Sequence, residues 1–192
     1  MLPLILASSS IYRKALLERL NLAFQSASPE IDESPLSGEQ PEQLTQRLAL
    51  TKAKALQTRF PQHLIIGSDQ VVLLDGKPVS KPGNHAEAQQ QLQRSSGKTL
   101  TFSTALCLLN SANDQRQLTV EPYSVTFREL TDEQIERYLQ TEKPYDCAGS
   151  FKSEGYGISL IERMQGDDPN SLIGLPLIRL CQMLAQEGIH LP

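Results

Sequence analysis

The chain is poor in the residue types that build disulfide scaffolds, zinc knuckles and membrane spans. Its three cysteines, Cys107, Cys147 and Cys181, are odd in number, far apart and never in a C-x-x-C pair. That pattern excludes a disulfide framework and a zinc knuckle, and it fits a reducing cytoplasm. His63, His85 and His190 are equally dispersed, which argues against a histidine-built metal site. No apolar run approaches the roughly 20 residues that a membrane span needs. The apolar start, Met1 to Leu6, lacks the basic leader and the length of a signal peptide. Lys and Arg total 18 against 22 Asp and Glu, a net charge of −4, and they are scattered. A duplex-binding surface is therefore not expected, and neither is a nucleic-acid polymer as partner, although a local basic pocket for a small anion is compatible. The expectation is a soluble cytoplasmic protein that neither enters a membrane nor binds one.

What is present fits a globular enzyme-sized chain. With 192 residues and 39% apolar composition, there is enough for one sizeable core, either a single domain over 1–192 or two intimately packed lobes. Leu4-Ile5-Leu6-Ala7 reads as a buried strand, and a serine turn, Ser8-Ser9-Ser10, leads into a helix from Tyr12 to Leu20. Residues 25–40, with Pro29, Pro35 and Gly38, read as a long loop. Pro41 suits the first position of a helix running to about Phe60. A strand pair around Asp69 follows, then Asp75-Gly76 as a tight turn. Asn84 with Glu87 opens a helix to about Ser95, and Thr131 with Gln134 opens one to about Gln140. Between them, Thr99–Leu109 and Leu118–Phe127 form an antiparallel hairpin. Gly157 to Glu162 is a candidate strand, Gly166 to Gly174 a loop, and Leu175 to Gln186 a last helix. Alternating helices and strands with an inserted hairpin predict an α/β fold with a mixed sheet.

Several residues are out of place for a bland reading. Asp69 interrupts the apolar segment Leu64 to Leu74, where an ionised carboxylate is costly unless paired, hydrogen-bonded or bound to a metal. It is either a turn cap between two short strands or a site residue at a strand end. Gly67 beside it lets a backbone or ligand approach closely. At about 100° per residue, Leu44, Leu48, Ala49, Ala55, Leu56 and Phe60 share a helix face, with Lys52 inside that face and Lys54 opposite. Lys52 must snorkel to water or meet an anion, such as Asp69 or a substrate phosphate. Arg13 and Lys14 stand in the first turn of their helix, against its dipole; an anion at that end would explain them, as would solvation beside a serine cap. The turn lacks the G-x-x-x-x-G-K-[ST] of a P-loop. Asp32-Glu33 is a solvated pair or a source of metal-binding carboxylate. Lys81 is stiffened by Pro82, and the glycine-rich Gly149 to Gly157 stretch is a pocket rim or a flexible loop.

In order along the chain, Leu6-Ala7-Ser8-Ser9-Ser10 with Arg13, Asp32-Glu33, Lys52-Ala53, Gly67-Ser68-Asp69, Lys81-Pro82 and Ala148-Gly149-Ser150-Phe151 resemble the motifs of the Maf family of nucleotide pyrophosphatases. Each motif is weak alone; the ordered set is specific and covers nearly the whole chain. The resemblance implies an elongated α/β fold, Maf/ITPase-like, with two lobes around a cleft, often as a homodimer. It implies cleavage of a nucleoside triphosphate to monophosphate and pyrophosphate with a divalent metal, Mg or Mn. It puts Asp69 in the general-base position, with Glu33 able to share the proton work, and both carboxylates near the metal. Ser8, Arg13, Lys52 and Lys81 fall at phosphate- or metal-binding positions.

The departures point to a subgroup. The common Ser-Pro-Arg-Arg opening is replaced by Ile11-Tyr12-Arg13, Gln70 stands where a threonine is common, and Glu154 stands where pyrimidine-acting members carry glutamine. Tyr12, Gln70 and Glu154 resemble the pattern of members that hydrolyse 7-methyl-GTP, in which the aromatic is typically tryptophan. The physics is compatible: N7-methylation makes guanine cationic, an aromatic face attracts a cation, and a carboxylate accepts from the guanine N1–H and N2–H₂ edge; the other reading is that Tyr12 merely packs and Glu154 pairs with Lys152. A pyrimidine-preferring (dTTP or UTP) or broad pyrophosphatase is the alternative activity. A nucleotide-binding regulator of cell division with little turnover is the alternative class.

Overall fold

The structure is a computed structural model and describes residues 2–192. In chain order the elements are β1 (Leu4–Ala7), α1 (Ile11–Glu18), β2 (Phe24–Ala27), α2 (Pro41–Ala55), β3 (Leu64–Leu74), β4 (Lys77–Pro78) and α3 (His85–Ser95). Then come β5 (Thr99–Asn110), β6 (Gln115–Phe127), α4 (Asp132–Glu142), two 3-10 turns (Ala148–Ser150 and Tyr156–Leu160), β7 (Ile161–Gln165), α5 (Pro169–Ile173) and α6 (Leu177–Gln186). The strands form one mixed seven-stranded sheet in the order β2-β1-β3-β5-β6-β7, with β4 paired to β3. Strand β1 runs parallel to both β2 and β3, whereas β4 and β7 are antiparallel to their partners. The predicted α/β class with a mixed sheet flanked by helices is what is observed. Among the described residues, no helix is long and apolar enough to cross a membrane.

The chain divides into two compact units. The first comprises the chain up to Gln70, Ser103–Glu121 and Asp168–Pro192; the second comprises Val71–Phe102 and Pro122–Asp167. In the first unit, the fully buried β1 and the start of β3 carry the near-continuous apolar runs expected of central parallel strands. Leu4, Leu6, Leu64 and Ile66 pack with Leu16, Leu17, Leu180 and Leu184 from α1 and α6. Ile5 and Ile65 pack with Ala49 and Ala53 of α2 and with Leu56, the residue that ends it. The second unit buries Leu92, Leu100, Phe102, Phe127, Tyr138 and Phe151. Phe151 meets Phe127 edge-on at 5.3 Å between ring centroids.

The differences from the sequence expectations have physical causes. The first residues of the expected loop, 25–27, belong to strand β2 (Phe24–Ala27), because an edge strand takes its structure from backbone pairing with β1 rather than from an apolar pattern. The expected strand pair around Asp69 is one continuous strand of 11 residues. Helix α2 stops at Ala55, short of Phe60, and Ala55 is exposed, so it leaves the predicted apolar face. The closest helix row is instead Ala49 and Ala53, the one that meets Gly67. Residues 157–160, expected as strand, are a 3-10 turn, and β7 starts after them at Ile161. The expected loop at 166–174 holds α5, capped by Asp168 with Pro169 at its first position. The Thr131 and Gln134 capping box is present, Asn84 caps α3, and Asp75-Gly76 makes the two-residue β3–β4 turn with both residues at positive φ. In the Gly149 to Gly157 stretch, Gly149, Ser150, Phe151 and Gly157 are buried, which a surface loop would not require, and Ser150 Oγ donates to Gln91 Oε1 at 2.7 Å.

Candidate active site

The site of the first unit grows from the carboxyl ends of its parallel strands, the usual place for ligands in α/β sheets. Pairing between β1 and β3 ends at Leu6 and Ile66, three residues before Asp69. Beyond it, Ser8 is buried and its Oγ accepts from Ser10 N at 3.1 Å. Ser10 caps α1 by accepting from Arg13 N at 3.3 Å. The Arg13 side chain turns away from the helix axis and donates through Nε to the Gly174 carbonyl at 2.9 Å. Burial pulls the Arg13 pKa down, while the negative charges of Asp69 and Glu33 act in the opposite direction. Lys14, its neighbour, remains exposed and lies 4.0 Å from Glu18. The two basic residues thus part company: one belongs to the site and the other to solvent.

Lys52 is 6% exposed and does not snorkel. Its Nζ lies 2.7 Å from Asp69 Oδ1 and 2.9 Å from Glu33 Oε1, so one ammonium joins two carboxylates. The geometry depends on Gly67. A Cβ there would overlap the Ala49 carbonyl and press on the Ala53 amide, both backbone. The missing side chain lets α2 lie directly on β3, one turn from Lys52 and two residues from Asp69. Burial raises the Asp69 pKa, and Glu33 adds to that; Lys52 and Arg13 oppose it, and the net direction is up. Asp69 therefore neither caps a turn nor ends a strand: it is a half-buried carboxylate in mid-strand with a buried counter-ion.

Neighbouring β3 residues are tied to α5 and the turn after it. Ser68 Oγ lies 2.8 Å from the Ala105 carbonyl and 2.9 Å from that of Gly174. Gln70 Nε2 donates toward Thr104 Oγ1, the Ser171 carbonyl and the Leu172 carbonyl, at 2.8 to 3.1 Å. Asp168, buried, accepts from Asn170 N and, through its other oxygen, from Ile178 N, binding the starts of α5 and α6 together. Glu33 sits in the loop that Arg47 and Glu39 brace. The guanidinium meets that carboxylate twice, at 2.7 and 2.8 Å, and also donates to the Ser34 carbonyl at 2.9 Å.

Ser8, Tyr12, Arg13, Glu33, Lys52, Asp69 and Gln70 thus belong to the first unit; Glu33, Lys52 and Asp69 are in direct contact, and Tyr12 is half-buried on α1. Lys81 and Glu154 belong to the second unit, and both are exposed. Glu154 accepts from Ser153 Oγ at 3.3 Å, and Lys152 Nζ lies 3.0 Å from Glu142 Oε1. Arg47, Glu39, Asp168 and Gly174 carry no role in the sequence expectations, and Ser68 figures there only as a member of the Gly67-Ser68-Asp69 motif. The Asp-Pro step at 168–169 is a recognisable cap and first-turn signal; the Arg47–Glu39 brace has no local signature. Among the described residues, no group of three His, Cys, Asp or Glu is placed to hold a metal by itself. Glu33 and Asp69 offer two hard oxygen donors, which fits a divalent cation completed by substrate phosphates.

The chain matches the family model described as Maf-like protein over residues 3–187. It is 55% identical over 189 residues to a 7-methyl-GTP pyrophosphatase of Pseudomonas aeruginosa, covering 98% of each chain. The structure of the Staphylococcus aureus Ham1 protein superposes with a TM-score of 0.53 at 11% identity, covering 97% of this chain and 100% of that one. That last likeness is one of fold. With a family match over residues 3–187 and a relative 55% identical over 98% of the chain, the chain belongs to the Maf family.

Proposed function

We propose that this protein is a nucleoside triphosphate pyrophosphatase that hydrolyses 7-methyl-GTP to 7-methyl-GMP and pyrophosphate, removing a modified nucleotide. The observation that carries the chemistry is the Asp69–Lys52–Glu33 contact, with the charges of both carboxylates acting on the Arg13 guanidinium. The high identity to a 7-methyl-GTP pyrophosphatase carries the substrate.

Asp69, its pKa raised by burial, takes a proton from the attacking water; the water oxygen bonds to the α-phosphorus as the bond to the bridging oxygen breaks, and pyrophosphate leaves. Glu33 is the second carboxylate able to share the proton. Lys52 holds both carboxylates in place and, with Arg13 and Lys81, offsets charge on the phosphates. Ser8 adds a hydroxyl beside the α1 N-terminus, where phosphate oxygens are favoured. A divalent cation, Mg²⁺ or Mn²⁺, would be held by Glu33 and Asp69 and would supply Lewis-acid polarisation of the phosphoryl group. Tyr12 offers an aromatic face to the cationic base. Since Gln70 Nε2 is engaged, its Oε1 is the atom left for a base contact. Glu154 accepts from the guanine edge. A cytoplasmic homodimer completes the reading.

The test is pyrophosphate release from 7-methyl-GTP, GTP, UTP and dTTP in Mg²⁺ or Mn²⁺. The methylated nucleotide is expected to give the highest kcat/KM. Equal or faster turnover of UTP or dTTP overturns the substrate assignment. Tight binding without product under any metal overturns the enzyme.

A further inference from the structure

Glu142 is the last residue of α4, where a negative charge opposes the helix dipole. Its contacts explain its presence. Oε2 accepts from the Tyr156 amide at 2.6 Å, and Oε1 lies 3.0 Å from Lys152 Nζ. Gly155, between those two contacts, presents an open face: a Cβ there would overlap the Glu142 carboxylate. The loop start is fixed from the same helix, since Tyr138 Oη accepts from Lys152 N at 3.2 Å. Burial works against the charge of Glu142, yet Lys152 and the Tyr156 amide outweigh it and hold its pKa below the ordinary carboxylate value. One carboxylate thus grips both ends of Lys152–Tyr156, and the middle of that segment is Glu154, whose own side chain is exposed.

We infer that Glu142 is a positioning residue for base selection, holding the Lys152–Tyr156 loop in the one conformation that presents Glu154 to a purine edge. This rests on the base-reading role proposed for Glu154. The role assigned to Glu142 needs no contact with substrate. A free loop would have to be ordered as the nucleotide binds, which weakens binding of the preferred base rather than slowing the chemistry.

The experiment compares Glu142→Ala, Glu142→Gln, Gly155→Ala, Glu154→Gln and the Glu142→Ala/Glu154→Gln double variant. Steady-state kinetics with 7-methyl-GTP and GTP are paired with amide hydrogen exchange of the free protein. Gly155 has an extended backbone, φ −117°, so alanine fits the chain there and acts by displacing the Glu142 carboxylate. The expected result is about fivefold loss of the 7-methyl-GTP over GTP efficiency ratio in Glu142→Ala and Gly155→Ala, through KM, with kcat within about twofold. Glu142→Gln, which keeps an acceptor for the amide, recovers part of the ratio. The double variant is no worse than Glu154→Gln alone, and Tyr156 exchanges faster in both Glu142→Ala and Gly155→Ala. If Glu154→Gln lowers the ratio and Glu142→Ala does not, this inference is overturned and the proposed function stands. If Glu154→Gln leaves the ratio unchanged, base reading by Glu154 fails, and the positioning role falls with it. Unchanged exchange at Tyr156 in Glu142→Ala overturns the grip of Glu142 on the loop whatever the kinetics show.

Discussion

A single side chain, Lys52, decides how the site residues relate. It is buried, it has three donors, and two of its neighbours are carboxylates of which one is held at a raised pKa. Such a pair is a poor device for stability, because desolvation consumes most of the attraction. It is a good device for chemistry, because it keeps a carboxylate ready to accept a proton. Asp69→Asn is therefore expected to lower kcat by about 10²–10⁴ while nucleotide binding, measured by calorimetry, is retained. In the wild type, kcat/KM should rise with pH through the raised Asp69 pKa, because only the ionised form is a base. A pH profile with the same acidic limb in Asp69→Asn would assign that limb to another group. Lys52 and Asp69 were both legible in the sequence as misfits, a lysine on an apolar helix face and an acid in an apolar strand. Their partnership was only one of the readings open there, because residues 17 apart in sequence carry no signal of contact. Arg47 was not legible at all, since an arginine on a half-exposed helix surface looks like any solvated cation.

Two elements, α2 and β3, build the scaffold of that pair, and their spacing hangs on one absent methyl group. Gly67→Ala places a Cβ against the Ala49 carbonyl, so α2 must move out. The expected result is a loss of about 1–3 kcal/mol of stability, read as a lower Tm, with a fall in kcat/KM as Lys52 recedes from Asp69. A variant of unchanged Tm and activity would show that the helix does not need this approach. The loop before α2 is the second case. Arg47 draws the Glu39 carboxyl down to about 2, helped by the Leu36 amide. With its folded pKa depressed, Glu39 contributes stability in full above its ordinary value near 4.5, and that contribution is lost as pH falls towards about 2. Arg47→Lys removes the two-pronged fit that lysine cannot reproduce. It is expected to speed exchange at the Leu36 amide and to raise KM severalfold by loosening Glu33, with a smaller effect on kcat. The element boundaries that escaped the sequence reading are of one kind. Strand β2 has little apolar pattern, α5 is five residues long, and the 3-10 turn before β7 has no period of its own.

At the scale of the whole molecule, the seven-stranded sheet is assembled by strands that serve both units: β3, β5 and β6 each contribute residues to the two. The first unit carries the charged cluster, and the second carries Lys81 and Glu154 on separate segments. A divalent cation completed by substrate phosphates is the one part of the proposed chemistry that no side chain supplies. Chelation with EDTA is accordingly expected to abolish pyrophosphate release, and Mg²⁺ or Mn²⁺ to restore it; undiminished activity in EDTA would remove the metal from the reaction. The sequence by itself determined the α/β class, most helices and strands, and the family, because apolar periodicity, caps and ordered short motifs are local properties of the chain. It also marked Asp69, Lys52 and Gly67 as odd, since each violates the local rule of its segment. Only the tertiary structure decided that Lys52 answers Asp69 and Glu33 together, that Arg13 turns to Gly174 while Lys14 stays in water, and that Glu142 grips the Glu154 loop. Those outcomes depend on distances between residues 10 to more than 150 positions apart, and such distances are fixed by close packing of helix on sheet, for which no local pattern in the chain stands proxy.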